Sequence, residues 1–293
     1  MDFKSILGEN CKTGELLKDH TTFHVGGECK FFLTPVTEEQ LCLCMDIIRK
    51  ENLKYYIFGN GSNILVDDRG FDGVIISTEC LNDSIVHDGV YIEAGAGAGL
   101  DKISDYAMDN SLTGFEFACG IPGSLGGAIV MNAGAYDGEM SHVLYQIKIL
   151  SEDGGIKWKE ASELELGYRK SNILANNEIV LAARLKLEHG EKEKIKAKIE
   201  DLNDRRREKQ PLEYPSAGST FKRPEGYFAG KLIDDAGLRG FKLGGAAVSQ
   251  KHCGFVINYD NASSEDIKSL IKHVKDVVYE KFGVKLECEV RMI

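Results

Sequence analysis

The 293-residue sequence predicts an α+β fold. Short β-patterned runs outnumber helical ones through the first two thirds, without the regular strand-helix alternation of a doubly wound sheet. The loops joining them are dense in glycine and small residues rather than in the charged residues of ordinary surface turns. A hydrophobic content of 43% with 28% charged residues is that of a globular chain, and the length leaves room for two domains.

Taken in order, the first twenty residues are mixed in character and predict a helical cap. HTTFHVGGECKFFLTPVT is a turn and strand centred on Gly26 and Gly27. Thr37 with Gln40 three residues on predicts a capping box, the Gln side chain returning to the Thr37 amide. The helix it opens carries Leu41, Met45 and Ile48 on one face and runs to about Glu51. KYYIF is a short strand that leads directly into Gly59-Asn60-Gly61-Ser62-Asn63. NILVDDRGFDGVIIST reads as two short strands joined by a turn at 69–73. DGVYIEAGAGAG is a strand ending in alternating glycines, and LDKISDYAMDNSLTG a helix closing at Gly114. YQIKILSEDGGIKW is a hairpin turning at Asp153-Gly154-Gly155, and EIVLAARLKLEHG a further strand. GEKEKIKAKIEDLNDRRREKQP is a charged helix ending at Pro211, either a solvated face or a bridge between domains. The last helix starts at Ser263, buries Ile267, Leu270, Ile271, Val274 and Val278, and stops at Gly283. In VKLECEVRMI, strict alternation puts Val284, Leu286, Cys288, Val290 and Met292 on one face, with Lys285, Glu287, Glu289 and Arg291 on the other. No internal repeat is present.

Composition narrows the function. The net charge of -10 argues against a general nucleic-acid binder, while a local Lys/Arg cluster remains compatible with an anionic small substrate. Eight cysteines at irregular spacings, with no CxxC, fit reduced thiols of a cytoplasmic protein and predict no structural metal. MDFKSILGENCK is too short and too charged for a signal peptide, and no apolar run predicts a membrane span. The absence of a legible exposed apolar stripe predicts a monomer.

One stretch is not explained by ordinary core packing. In CGIPGSLGGAIVMNAGAY, at 119–136, six of eighteen residues are glycine or proline, separated by small and apolar residues. Such a run suggests a backbone that something approaches closely, and successive free N–H groups there can cradle phosphate oxygens. The alternative is a turn-rich connection between strands. Neither Gly59/Gly61 nor Gly95/Gly97 completes GxGxxG, and no GxxxxGK[ST] occurs anywhere. Three small-residue loops, at 59–63, 120–128 and 132–135, nevertheless suit an extended ligand such as a dinucleotide.

An ordered set of motifs carries a resemblance. His24-Val25-Gly26-Gly27, GNGSN at 59–63, GIPGSLGGA at 120–128 and NAGAY at 132–136 resemble the flavin-binding loops of the UDP-N-acetylenolpyruvoylglucosamine reductases. GYRKSN at 167–172, PSAGSTFKRP at 215–224, GGAAVSQKH at 244–252 and LECEVR at 286–291 extend it over nearly the whole chain. These enzymes act in bacterial peptidoglycan precursor synthesis. The resemblance implies a vanillyl-alcohol-oxidase/PCMH-type FAD-binding domain at 1–208, N-terminal cap included, and a smaller α+β substrate-binding domain at 209–293. It implies non-covalent FAD, with NADPH as co-substrate and UDP-N-acetylenolpyruvoylglucosamine as the sugar nucleotide reduced. The expected FAD contacts are Gly59, Asn60, Gly61, Ser62, Asn63, Gly120, Pro122, Gly123, Ser124, Gly126, Gly127, Ala128 and Asn132.

The same resemblance assigns the chemistry. Hydride addition to the enol-ether methylene builds negative charge on the neighbouring carbon and its carboxylate, which calls for fixed donors and a proton. Arg169 matches the arginine that grips the carboxylate, Ser219 the proton donor, and Glu289 the glutamate that assists the carboxylate's enol form or relays a proton. By pattern alone Arg169 is a surface residue, Ser219 caps a turn, and Glu287 is the equal of Glu289. Lys209, Lys222, Arg223 and His252 are expected to give the diphosphate a positive field, and Asn258 to be structural. The chain between Arg169 and the strand at 179–187 is short, which resembles the compact branch of the family. A rival reading is another flavin dehydrogenase or oxidase of this fold acting on a hydroxy acid; a second is a catalytically inactive nucleotide-sugar sensor.

Overall fold

A computed structural model describes residues 2–293, which cluster into two compact units. Of the described residues the first comprises 2–13, 31–60 and 73–206; the second comprises 14–30, 61–72 and 207–293. The chain is thus not divided linearly at 208/209, because two early segments pack with the C-terminal part.

In the first unit, helix α1 (Glu38–Lys50) forms where the sequence places it. Thr37 Oγ1 accepts from the Gln40 amide at 3.2 Å, but Gln40 Oε1 accepts from the amide of Val36 rather than from that of Thr37. Leu41, Cys44, Met45 and Ile48 bury against Phe3, Leu7, Leu33, Val74 and Ile76. Strand β1 (Tyr55–Phe58) runs parallel to β2 (Phe71–Ser77), with Tyr55 opposite Val74. The expected helical cap is mostly not a helix. Only Phe3–Leu7 is α-helical, and Gly8 and Gly14, at φ +55° and +64°, turn the chain out of the helical path.

A second, fully antiparallel sheet follows from β3 (Ile85–Asp88), β4 (Tyr91–Gly95), β5 (Leu144–Leu150), β6 (Ile156–Glu160) and β7 (Ile179–Lys186), in the spatial order β6-β5-β7-β4-β3. The β5–β6 hairpin turns through Gly154 at φ +90°, as expected. Its buried face packs on α2 (Leu100–Asp109) and α3 (Leu125–Val130) in one apolar cluster that includes Ile92, Ile103, Leu125, Ile147 and Leu185. Helix α2 ends before Gly114, since Ser111 already turns left-handed at φ +56°. Helix α4 (Lys192–Lys209) is charged all round except for a stripe of Ile195, Ile199, Leu202 and Arg206. It therefore buries one narrow stripe and keeps a solvated face over the rest of its length.

The second unit is built on α5 (Ala229–Asp235), the antiparallel pair β8 (Ala246–Val248) and β9 (Val256–Asn258), and α6 (Ser264–Phe282). Ser263 and Asp266 exchange side-chain and amide hydrogen bonds at 3.0 Å each, and Gly283 closes α6 at φ +68°. Its core joins α6 to Phe23, Val25 and Leu65 from the early segments. Ile64–Leu65 pairs in parallel with Arg291–Met292 instead of forming a hairpin with the strand after it. Met292, expected on the buried face of the last strand, is 45% exposed. Among the described residues no helix is long and apolar enough to cross a membrane, and no group of three or more His, Cys, Asp or Glu side chains is arranged to hold a metal ion.

Candidate active site

The glycine-rich stretch of the first unit is shaped by three close approaches. A Cβ on Gly59 would collide with Ser124 Oγ, one on Gly126 would stand 3.1 Å from the Ala96 Cβ, and one on Gly120 2.7 Å from Arg206 Nε. The density of glycine is therefore partly explained by the protein itself: Gly126 lets α3 settle on the end of β4, and Ala128 faces the core. Pro122, Gly123 and Gly127 lie on the outer side of the loop, exposed or half-exposed.

Two buried polar atoms beside this loop lack a partner. Ser124, 1% exposed at the N-cap of α3, has an unsatisfied hydroxyl, and Arg206, 8% exposed, has an unsatisfied Nε. Arg206 reaches the loop from α4, donating Nη1 to the Gly120 carbonyl, with its guanidinium 5.8 Å from the centre of the Tyr136 ring. Buried donors without acceptors are costly, about 1–3 kcal/mol each, unless a ligand completes them. They fit an anionic, oxygen-rich cofactor such as FAD. The sequence does not single out Arg206, one arginine among three in a charged run; only its place on the narrow buried stripe of α4 distinguishes it.

Asn132 is not placed to touch a cofactor through its side chain. It is fully buried, donating from Nδ2 to the Gly167 carbonyl and to Glu139 Oε1, both at 3.0 Å, while Oδ1 accepts from the Ser141 amide at 2.9 Å. Those bonds tie it to the turn carrying Arg169. Arg169 sits at φ +53° and donates from Nη2 to the Gly134 carbonyl at 2.9 Å, with its guanidinium 5.0 Å from the centre of the Tyr168 ring. A left-handed arginine is strained by roughly 1–2 kcal/mol, so its surroundings must hold it there. The Glu139 carboxyl lies below its ordinary range, chiefly through the Ser141 hydroxyl and against a smaller burial effect, with help from Asn132 and the charges of His142 and Arg169.

In the second unit a strand pairing sorts the two glutamates. Phe221 bridges Cys288 in antiparallel register, the Glu289 amide donates to the Thr220 carbonyl at 2.8 Å, and the Lys222 amide to the Glu287 carbonyl at 2.9 Å. Ser219 therefore lies next to the partner of Glu289. Glu287, by contrast, is exposed and ion-paired with Lys222 at 3.3 Å. Thr220, fully buried, fixes this edge through its amide to the Gly254 carbonyl and its Oγ1 from the Val256 amide. Ser219 is left exposed between it and Gly218, which turns at φ +71°. Asn63 Nδ2 donates to the Glu289 carbonyl at 3.2 Å, and Gly61 fits against the His20 carbonyl so closely that any Cβ would overlap it. Asn60 is exposed, and Ser62 is half-buried.

The expected cationic set is weaker than its sequence suggests. His252 is held neutral: burial lowers its pKa from 6.5, and Nδ1 accepts from the Gly254 amide at 3.1 Å, which leaves the proton on Nε2. It offers a donor and not the charge expected of it. Lys222 already faces Glu287, Arg223 lies 4.0 Å over the Phe228 ring, and Lys209 is exposed at the end of α4. Asn258 is structural, bonding the Phe23 carbonyl and the Ala262 amide. His24, Gly26 and Gly27 line a cavity of about 620 Å³ with Tyr214, Asn258 and Ala262. Pro215, in its lining, is four residues and roughly 13 Å of extended chain from Ser219, and no expected catalytic residue lines the cavity.

Comparison with known proteins gives this arrangement a class. Residues 29–159 match the family model described as "FAD binding domain", so the chain is a flavoprotein. A glucose dehydrogenase, Phl p 4.0202, shares the fold at 14% identity and a TM-score of 0.50 over 66% of this chain and 45% of its own. Residues 210–293 match "UDP-N-acetylenolpyruvoylglucosamine reductase, C-terminal domain". The reductase of that name from Clostridium perfringens (strain SM101 / Type A) is 51% identical over 100% of this chain and 98% of its own. That of Clostridium botulinum (strain Eklund 17B / Type B) is 53% identical over 98% and 93%. The crystal structure of the Thermus caldophilus enzyme superposes with a TM-score of 0.82 at 35% identity, over 95% of this chain and 97% of that one. The chain belongs to the UDP-N-acetylenolpyruvoylglucosamine reductase family.

Proposed function

We propose that the chain reduces UDP-N-acetylenolpyruvoylglucosamine to UDP-N-acetylmuramate, with NADPH as co-substrate and non-covalent FAD, and that Arg169, Ser219 and Glu289 carry the second half of the reaction. Bound FAD supplies the hydride that adds to the enol-ether methylene. Ser124, Arg206, Gly59 and the outward-facing glycines 123 and 127 would hold the cofactor. Arg169 grips the carboxylate through a planar pair of N–H donors as negative charge grows there. Ser219 Oγ gives its proton to the carbon beside that carboxylate, which is a far stronger base than an alkoxide. Glu289 relays a proton or assists the carboxylate's enol form. Lys209, Lys222 and Arg223 approach the diphosphate, with His252 contributing an Nε2 donor.

The observation that supports this reading best is the Thr220–Glu289 pairing, which brings the backbone of Glu289 beside the residue that follows Ser219, while Glu287 is ion-paired with Lys222. Periodicity treats the two glutamates alike; their surroundings do not, Glu287 being exposed and Glu289 half-buried. We further propose a cytoplasmic monomer, on the strength of the irregularly spaced thiols and the lack of a legible apolar stripe. Anaerobic stopped-flow tests the activity. NADPH should bleach the yellow holoenzyme, and the enolpyruvyl sugar nucleotide should restore the colour where simple hydroxy or keto acids do not. Colour restored equally well by a hydroxy acid's keto product would favour the rival oxidoreductase. Ser219→Ala should leave bleaching by NADPH within a few-fold and slow recovery by roughly 10²–10⁴. Equal slowing of both steps would remove the proton-donor role.

A further inference from the structure

We propose that Asn132 is a positioning residue for Arg169, acting as a clamp between the 134–139 hairpin and the 167–170 turn. Gly167 and Lys170 exchange both of their backbone hydrogen bonds at 3.0 Å, so Tyr168 and Arg169 form the tip of a tight turn. Asn132 Nδ2 donates to the Gly167 carbonyl, at the base of that turn. Its other Nδ2 hydrogen goes to Glu139 Oε1, which also takes the Ser141 hydroxyl at 2.5 Å, while the Ser141 amide returns to Asn132 Oδ1.

The amide is therefore fixed in one orientation: a flip would face its oxygen to a carbonyl and a carboxylate. Glu139 belongs to the hairpin whose Gly134 carbonyl receives Arg169 Nη2. One fully buried side chain thus ties the base of the turn to the hairpin that already holds the arginine's tip. Asn132 itself is at φ +41°, and Arg169 at φ +53°. An arginine held in the left-handed region, with the base of its turn bonded to Asn132 and its guanidinium bonded to the same hairpin, is set before substrate arrives, so that little reorganisation remains at the moment of reaction.

The clamp rests on the reading that Arg169 holds the substrate carboxylate, and the experiment separates the two. Asn132→Asp keeps the shape, removes both donors and sets a carboxylate against Glu139. In the holoenzyme, reduction by NADPH should stay within about three-fold, while recovery by the sugar nucleotide slows roughly 10- to 100-fold. In an Arg169→Ala background the same substitution should add nothing, because the residue it positions is gone. A purely structural Asn132 would slow both half-reactions, or slow recovery by the same factor with and without Arg169; either result overturns the clamp. If Arg169→Ala itself leaves recovery unchanged, the carboxylate role fails instead. Should Asn132→Asp not fold, Glu139→Gln keeps the acceptor and removes the charge. It should slow recovery several-fold in the wild-type background and not in Arg169→Ala, and a background-independent effect overturns the proposal.

Discussion

Ser124 and Glu289 make opposite demands on a side chain. The Ser124 hydroxyl is buried without a partner, so Ser124→Ala removes a cost from the cofactor-free protein, and its melting temperature should hold or rise. Loss of a hydrogen bond to an anionic ligand should weaken FAD binding by about 1.5–3 kcal/mol, roughly 10- to 150-fold. Flavin-fluorescence titration of stripped protein reads this directly, and unchanged affinity would exclude Ser124 from the cofactor site. For the glutamates, Glu287→Gln should barely change recovery by substrate, since an exposed pair with Lys222 is worth about 0–1 kcal/mol. Glu289→Gln should slow it at least ten-fold; equal effects would dissolve the distinction. The motifs around Ser219 and Glu289 point to these residues by resemblance, yet they do not show that Glu287 is exposed and ion-paired with Lys222 while Glu289 is half-buried. Nor do they show that burial neutralises His252 or that Asn132 is enclosed. Glu289 and Asn132 depend on partners distant in sequence, Thr220 and Gly167, and His252 on its burial in the fold.

Elements with a local signal are legible in the sequence. Helix α6 carries its own start in Ser263 and Asp266 and its own stop in Gly283, and the β5–β6 hairpin its own turn glycine. Elements decided by distant contacts are not. The cap of the first twenty residues, the early end of α2 and the partner of Ile64–Leu65 all depend on glycines, left-handed residues or remote strands. The 67–70 turn combines a local partner with a remote one. The Asp67 carboxyl is held well below its ordinary 3.8 mainly by the Arg69 side chain, then by Lys268, whose Nζ is 2.5 Å away, and by the Arg69 amide. Its folded-state pKa being depressed, the stability it contributes is complete above 3.8 and is lost as the pH falls through the folded value. Asp67→Asn should therefore lower the denaturation midpoint at pH 6, and its gap from the parent should narrow as the pH is taken below 3.8. A gap that stays constant across this range would show that the charge is not what Asp67 contributes.

At the scale of the molecule, the division into units is what the sequence conceals most fully. A change of composition near 209–211 suggests a boundary, but nothing in 14–30 or 61–72 announces that these segments join the C-terminal core. Phe23, Val25 and Leu65 are buried there with α6, and the Ile293 amide and carbonyl bond the Leu65 carbonyl and the Asp67 amide. A fragment of 207–293 lacks those side chains and that strand partner. It should show helical circular dichroism from α6 without the dispersed amide spectrum of a packed domain, and adding the two early segments in a linked variant should restore dispersion. A fragment that folds cooperatively alone would mean that the early segments only decorate it. The acidic whole, at -10, leaves anionic ligands to rely on local donors, which gives the unpaired atoms beside the glycine loop more weight than the overall charge.

The assembly of the second unit from three separate segments also fixes when it can form. Synthesis runs from the N-terminus at about 5–20 residues per second, so the first unit has all of its chain once Arg206 has emerged. The segments at 14–30 and 61–72 must wait for partners that lie beyond Arg206 and include Ile293, whose backbone closes the strand beside Leu65. Their half-made core presents Phe23, Val25 and Leu65 to the cell throughout that interval. Removing Arg291–Ile293 should therefore leave that core open, and limited proteolysis should cut the shortened protein faster than its parent; equal rates would show that the strand beside Leu65 is dispensable for closure.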